Sequence, residues 1–278
     1  MSVAQEQKGE RFRRLHGGPC FLIPNPWDVG SARVLAGMGF QALATSSAAS
    51  AAAMGKRDGG LTREEALAHA RMIVSATDLP VSADLENGFG EAPETVAETV
   101  RLAGEAGLVG CTIEDTKGED TTGNAAQPIY EFERAVERVA AGAAAVRAMG
   151  FPFLLTARTH NLMFVGGQLD ETVRRLKAFE RAGADVLFAP GLPDLAAVRT
   201  VCGNLTKPFN FMVGIKGKSF SVSELAVAGV RRISLATSLY RAAMTGFLEA
   251  AGEVNENGTF GFLERSVSTA EVLGLMGS

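Results

Sequence analysis

Short apolar runs alternate along the chain with longer segments of helical period. The runs are CFLIPN (20–25), QALATSS (41–47), LPVSADLE (79–86), VGCTIED (109–115), FPFLLTART (151–159), ADVLFAPG (184–191), KPFNFMV (207–213) and RRISLAT (231–237). Each has the length of a strand, and most are near-continuously apolar, the pattern of strands buried on both faces. Between them, segments such as LTREEALAHARMIVSA (61–76), ETVAETVRLAGEAG (94–107) and IYEFERAVERVAAGAAAVRAMG (129–150) place apolar residues three and four apart. Several open on a capping residue or proline and close on glycine. Strand followed by helix, eight times over, predicts an α/β fold with a parallel sheet; eight units favour closure into a (β/α)₈ TIM barrel over an open doubly wound sheet.

No linker or low-complexity stretch divides the chain, so a single barrel domain is expected over 1–278, with 250–278 as a C-terminal helical extension. After the eighth run, SLYRAAMTGFLEAAGEV is predicted helical, and ERSVSTAEVLGLMG adds one helix more than a barrel needs. That surplus helix requires a docking partner. The polar segment TKGEDTTGNAAQP (116–128) interrupts the rhythm after the fourth strand and is the candidate lid, with Gly118, Gly123 and Pro128 permitting irregular backbone.

Composition narrows the picture. The 278 residues are close to the roughly 250 of one barrel. With 46% hydrophobic and 21% charged residues and a formal net charge of -4, the chain reads as globular and lacks the basic field that nucleic acid requires. Its first residues, MSVAQEQKGERFRRLHGG, lack the apolar core of a leader, and no later run would span a bilayer; the expectation is a cytoplasmic protein with no membrane partner. Cys20, Cys111 and Cys202 are odd in number and scattered, which suits reduced thiols.

In a barrel, chemistry sits where strands end, and the acids gather there. Asp84 and Glu86 close the third strand, Glu114 and Asp115 close the fourth, and Asp58 lies in the loop after the second. Alternation along an extended strand puts Asp84 and Glu86 on one side. Converging carboxylates repel and raise one another's pKa, a conflict that an octahedral Mg²⁺ or Mn²⁺ held by hard oxygens resolves. The competing reading is solvated loop acids and helix N-caps. Arg158, ending the fifth strand, suits two-pronged binding of a carboxylate or a structural ion pair. The run ATSSAASAAAMGKRDGG offers backbone N–H groups and the Ser46 and Ser47 hydroxyls as an anion cradle. His160 is either an acid–base group or a structural hydrogen-bonding residue, Cys111 is a packing residue, and Lys216 and Lys218 are solvated or bind phosphate. No P-loop, dinucleotide fingerprint or HExxH occurs, and no lysine lies in the sixth strand for a Schiff base.

The motifs NPWDVGSA (25–32), TSSA, KRDGG, ADLENGFG, IEDT, ART and PFNFM (208–212) together resemble the isocitrate lyase and phosphoenolpyruvate mutase superfamily across most of the chain. The resemblance implies that Asp84 ligates the metal directly while Asp58, Glu86 and Glu114 hold metal-bound waters. It makes Ser46, Ser47 and Ala48 the cradle for the substrate carboxylate, and Arg158 the contact to the keto acid or its enolate. Arg158, Glu114 and Asp58 are the catalytic candidates, and Asn124 joins the substrate-binding group as an echo of the mutase lid. Glu86 and His160 stand where relatives commonly carry Asp. The 116–128 segment has no KxCGH motif and only fragments of EDKxxPKxNS. What the resemblance then implies is a Mg²⁺- or Mn²⁺-dependent lyase or decarboxylase, acting on a small oxaloacetate-like α-keto acid through a pyruvate-type enolate, with water as a possible proton donor. Phosphonopyruvate hydrolase or mutase-like C–P chemistry, and a degenerate barrel that only binds keto acids, are the alternatives. It also implies a homotetramer, a dimer of dimers in which the last barrel helix is exchanged between subunits.

Overall fold

The computed structural model describes residues 3–117, 129–164 and 167–277. Asn124 and all but the first two residues of the 116–128 segment lie outside these. Helix α1 (Val3–Gly17) precedes β1 (Phe21–Ile23). There follow α2 (Val29–Gly37), β2 (Leu43–Ala44), α3 (Ser47–Ala53), α4 (Arg63–Ala76), β3 (Val81–Asp84), α5 (Pro93–Glu105) and β4 (Gly110–Glu114). The second half holds α6 (Phe132–Ala148), β5 (Leu154–Arg158), α7 (Asn161–Phe164), α8 (Leu169–Ala182), β6 (Val186–Phe188), α9 (Leu195–Gly203), β7 (Phe209–Met212), α10 (Val222–Val227) and β8 (Arg232–Ser234). The chain ends with α11 (Ser238–Asn257), a 3₁₀ turn and α12 (Thr269–Met276).

Every expected strand forms inside its apolar run, and all seven ladders are parallel, in the order β1-β8-β7-β6-β5-β4-β3-β2. The two ends of this sheet meet without a ladder. Ala44 N donates to Pro24 O at 3.0 Å, and the buried Asn25 does the rest: its Nδ2 donates to Ala44 O and Thr45 O, both at 3.0 Å, while its Oδ1 accepts from Leu235 N at 2.9 Å. One side chain thus ties β1 to the ends of β2 and β8 and closes the TIM barrel. Outward-facing residues such as Leu43, Val81, Cys111, Leu155, Leu187 and Ile233 are buried under the helices in one continuous core.

Helix α1 was not foreseen in the pattern. It covers the amino-terminal end of the barrel, with Phe12 fully buried among Ile23, Ala42, Val109 and Leu154. The approach is close enough that a β-carbon on Gly9 would stand 2.2 Å from Pro152 O. Across the 116–128 segment, its near end is pinned: Thr116 and Ile129 form an antiparallel bridge.

The C-terminal extension is helical, as expected. Helix α11 follows β8 in the place of the eighth barrel helix, yet none of its residues is buried, and Phe247 and Leu248 are 61% and 63% exposed. The surplus helix, α12, finds its docking partner in α2, where a β-carbon on Gly37 would meet Leu275 O. A small residue on α2 lets the two backbones approach. No described helix is long and apolar enough to cross a membrane.

Candidate active site

A cavity of about 210 Å³ opens at the carboxyl ends of the strands. Ser46, Ser47, Ala48, Asp58, Asp84 and Arg158 line it, joined by Asn210, Arg232 and Ser234. Asp84, the last residue of β3, is held from several directions. Its N donates to Thr45 Oγ1 at 3.1 Å, and its Oδ2 accepts from Ser47 Oγ at 3.2 Å. Its Oδ1 accepts from Glu86 N at 3.3 Å. Arg158 Nη1 lies 3.7 Å from Asp84 Oδ2 and 3.4 Å from Glu114 Oε2, with its guanidinium 4.8 Å above the Phe188 ring. Glu114 also meets His160 Nε2 at 3.1 Å and accepts from Thr116 Oγ1 at 2.6 Å.

Neighbours in sequence part company here. Asp115 turns away from Glu114 into the protein, accepting from Thr159 Oγ1 (2.7 Å), His160 N (2.9 Å) and Arg175 Nη1 (3.1 Å). It fixes the backbone that carries His160 and is no part of the cavity wall. Glu86 lies near Asp84, as expected, but a left-handed backbone and not strand alternation brings it there. The strand ends at Asp84, and Glu86 has φ 51°, a left-handed conformation uncommon outside glycine.

The acids feel one another. Burial, followed by the charge of its neighbours, raises Asp84 above the usual carboxylate range, although Arg158 opposes the shift. Burial and the nearby Asp84, Asp58 and Glu114 push Glu86 up to about 8. Asp58 is raised too, chiefly by burial, with the Ser47 hydroxyl holding it back. Glu114 goes the other way: burial would raise it, but His160 and Arg158 outweigh burial and keep it ionised. Asp84, Glu114 and Asp58 share one guanidinium, with Glu86 next to them, and this set of hard oxygen atoms fits a small divalent cation. Among the described residues no three acids, histidines or cysteines converge closely enough to ligate one ion directly.

Deeper in the lumen the balance reverses. Arg232 donates from Nε to Asn210 Oδ1 (2.8 Å) and from Nη2 to Thr156 Oγ1 (3.0 Å), and its Nη1 lies 3.5 Å from His16 Nε2. Asn210 Nδ2 in turn donates to Ser234 Oγ at 3.0 Å. Among the described residues no carboxylate lies within ion-pair distance of Arg232, and burial alone draws its pKa down. Burial, and then the charge of Arg232, hold His16 at about 3, so it is neutral.

The family model described as phosphoenolpyruvate phosphomutase matches residues 12–255. The chain belongs to that family. Among solved structures, a proposed lyase/mutase from Burkholderia cenocepacia is 48% identical, with a TM-score of 0.92 over 98% of this chain and 96% of that one. An oxaloacetate decarboxylase from Ectopseudomonas mendocina is 30% identical over 81% of this chain and 76% of its own. The 2-methylisocitrate lyase of Escherichia coli is 32% identical over 73% of this chain and 69% of its own. The chain is thereby an enzyme of the isocitrate lyase and phosphoenolpyruvate mutase superfamily, as the motifs implied.

For a phosphoenolpyruvate phosphomutase family barrel, several residues around the cavity went unnoticed in the sequence: Thr45, Thr116, Phe188 and above all Arg232. The last could have been found, because period two from Ser234 points Arg232 inward while Ile233 faces the helices. Asn124 falls outside the described residues. Cys111 is fully buried with its thiol pushed well up, in keeping with packing. Lys216 is exposed, Lys218 Nζ reaches Gly191 O at 3.5 Å, and neither lines the cavity.

Proposed function

We propose that this chain is a Mg²⁺- or Mn²⁺-dependent lyase or decarboxylase acting on a small, oxaloacetate-like α-keto acid. The observation that carries the reading is Asp84: a half-buried carboxylate at a strand end, anchored by Thr45 and Ser47, beside Arg158 and three further acids. Asp84 would hold the cation, with Asp58, Glu86 and Glu114 holding its waters. When bound, a divalent cation there would supply positive charge to stabilise a keto oxygen.

The chain's own groups do the rest. Ser46, Ser47 and Ala48 offer hydroxyl and backbone donors to the substrate carboxylate, and Arg158, fixed between Asp84 and Glu114, presents a cation where enolate charge develops. Glu114 is kept ionised by His160 and Thr116, which also limit its rotation. Phe188 and Met212 give the cavity an apolar side that excludes water from that charge. A proton for the enolate would come from water.

Membership of the family and the decarboxylase and lyase relatives support carbon–carbon cleavage. Since the 116–128 segment lacks KxCGH, isocitrate and 2-methylisocitrate are expected to be poor substrates. The test is an EDTA-sensitive turnover screen over C4 to C6 α-keto acids, with phosphonopyruvate included because the family model bears the mutase description. Oxaloacetate is expected to lead. Efficient cleavage of 2-methylisocitrate, or turnover indifferent to EDTA, would overturn the assignment, and binding without turnover would make the barrel a keto-acid receptor.

We also propose a homotetramer, a dimer of dimers in which α11 is covered by a second copy. Its support is a 20-residue helix with no buried residue and with Phe247 and Leu248 outward. Light scattering should give a tetramer that Phe247→Glu with Leu248→Glu dissociates; a monomer before and after substitution refutes it. The three free thiols fit a reducing cytoplasm.

A further inference from the structure

Barrels of this kind usually fill their lumen with branched aliphatic side chains. Here the level below the mouth carries Ser82, Thr112, Thr156, Asn210 and Arg232, all buried. The bonds of Arg232 reach β7 beside it, β5 beyond β6 and β7, and α1 below, so the guanidinium lies across the lumen and floors the cavity that Asp84 and Arg158 rim. All three partners are uncharged. Arg232 is only 4% exposed, and a cation so far from water without a counter-ion is costly. Three of its five N–H donors are accounted for by these bonds.

Its neighbours are turned toward the same task. Because Asn210 Oδ1 accepts from Arg232, the amide presents its donor side to Ser234. Because Ser234 Oγ accepts that donor, its own O–H is left to donate toward the cavity it lines. The result is a concave patch of donors with no acidic residue beside it among the described residues, one level below a mouth rich in carboxylates.

We propose that Arg232, with Ser234 beside it and Asn210 orienting both, is the receptor for a carboxylate at the far end of the substrate. The inference rests on the keto-acid reading above and narrows it: the substrate is a dianion, with its keto and carboxylate oxygens at the mouth and a second carboxylate on the floor. The planar guanidinium fork matches a carboxylate in two-pronged fashion, and the ligand supplies the counter-ion that the fold withholds. Arg232 then discriminates dicarboxylates from keto acids whose far end is apolar.

Calorimetry on the full chain with Mg²⁺ tests this, using two probes: oxalate, which has no far end, and malate, which has a distal carboxylate. In Arg232→Met the Kd for malate should rise about tenfold to a hundredfold, while that for oxalate moves by less than about threefold. Arg232→Lys should fall between. Asn210→Asp, which sets a carboxylate against the guanidinium, should erase the advantage of malate and raise the melting temperature. Malate affinity unchanged, or both probes weakened alike, overturns the proposal. Should Arg232→Met fail to fold, Arg232→Lys and Asn210→Asp decide by the same comparison. If oxalate with Mg²⁺ does not bind the unmodified protein, the metal and keto-acid reading fails. The floor is then judged by succinate without metal: binding to the unmodified protein and loss in Arg232→Lys uphold it, and equal or absent binding removes it.

Discussion

At the mouth of the barrel Arg158 stands between Asp84 and Glu114, its charge outnumbered by carboxylates; one level down, Arg232 has, among the described residues, an amide, a hydroxyl and a neutral imidazole. The same side chain on the same sheet therefore meets opposite surroundings. Surplus negative charge at the mouth calls for a cation and surplus positive charge at the floor calls for an anion. Neither end is electrostatically complete in the chain alone, so a ligand that answers both is bound in one orientation.

The sharpest way to break this contrast is at the mouth. Asp84→Asn keeps the shape but removes the charge, and turnover should fall below detection with circular dichroism unchanged. Glu114→Gln leaves Asp84 in place and should cost about 10–100-fold in kcat/KM, the range for groups that support a metal ligand. Wild-type activity and metal affinity in Asp84→Asn would reduce the mouth to an ion-pair network.

The floor can be loosened from beneath. Phe12 is the apolar plug of α1, and Phe12→Ala should lower unfolding free energy by about 3–5 kcal/mol in urea. A loss under about 1 kcal/mol would mean that α1 is not part of the cooperative unit.

A smaller effect separates the two levels by pH. His16 titrates near 3 in the folded chain and at the ordinary 6.5 when unfolded, so between those values the unfolded state binds more protons. Its contribution is complete above about 6.5 and is lost as pH falls, at up to about 1.4 kcal/mol per pH unit. Urea melts from pH 7 to 4.5 should show a shallower acid limb in His16→Leu than in the unmodified protein; parallel limbs would leave the imidazole without influence on stability.

Much of this architecture could be read from the residues. The eight strands announced themselves because the face each turns to the helices is apolar and helical segments separate them, and the acids at their ends were found because that is where a barrel exposes side chains. Helix α1 escaped because its buried face is little more than Phe12 and His16 among charged neighbours, too narrow a stripe to set a period. Glu86 was placed by alternation, which holds only while the strand lasts, and a left-handed residue carries it instead. In RRISLAT the two arginines look alike, yet Arg231 is exposed and Arg232 buried. Charge made both resemble a polar flank, and only the inward phase of Ser234 tells them apart. What α11 and α12 pack against was not legible, because amphipathic period shows that a helix has an apolar side without showing what covers it.

The bonds of Asn25 bear on how the chain comes into being. Residue 25 leaves the ribosome early and Leu235 some two hundred positions later, and the barrel cannot close before both are present. The cavity, whose walls run from Ile23 to Thr237, is therefore assembled in a single late event of high contact order and not built up piece by piece. A product that stops before β8 would expose unpaired edges on β1 and β7, without the strand that both require. Such a fragment would be prone to pair with its own kind, which makes completeness of synthesis a condition of solubility as well as of activity.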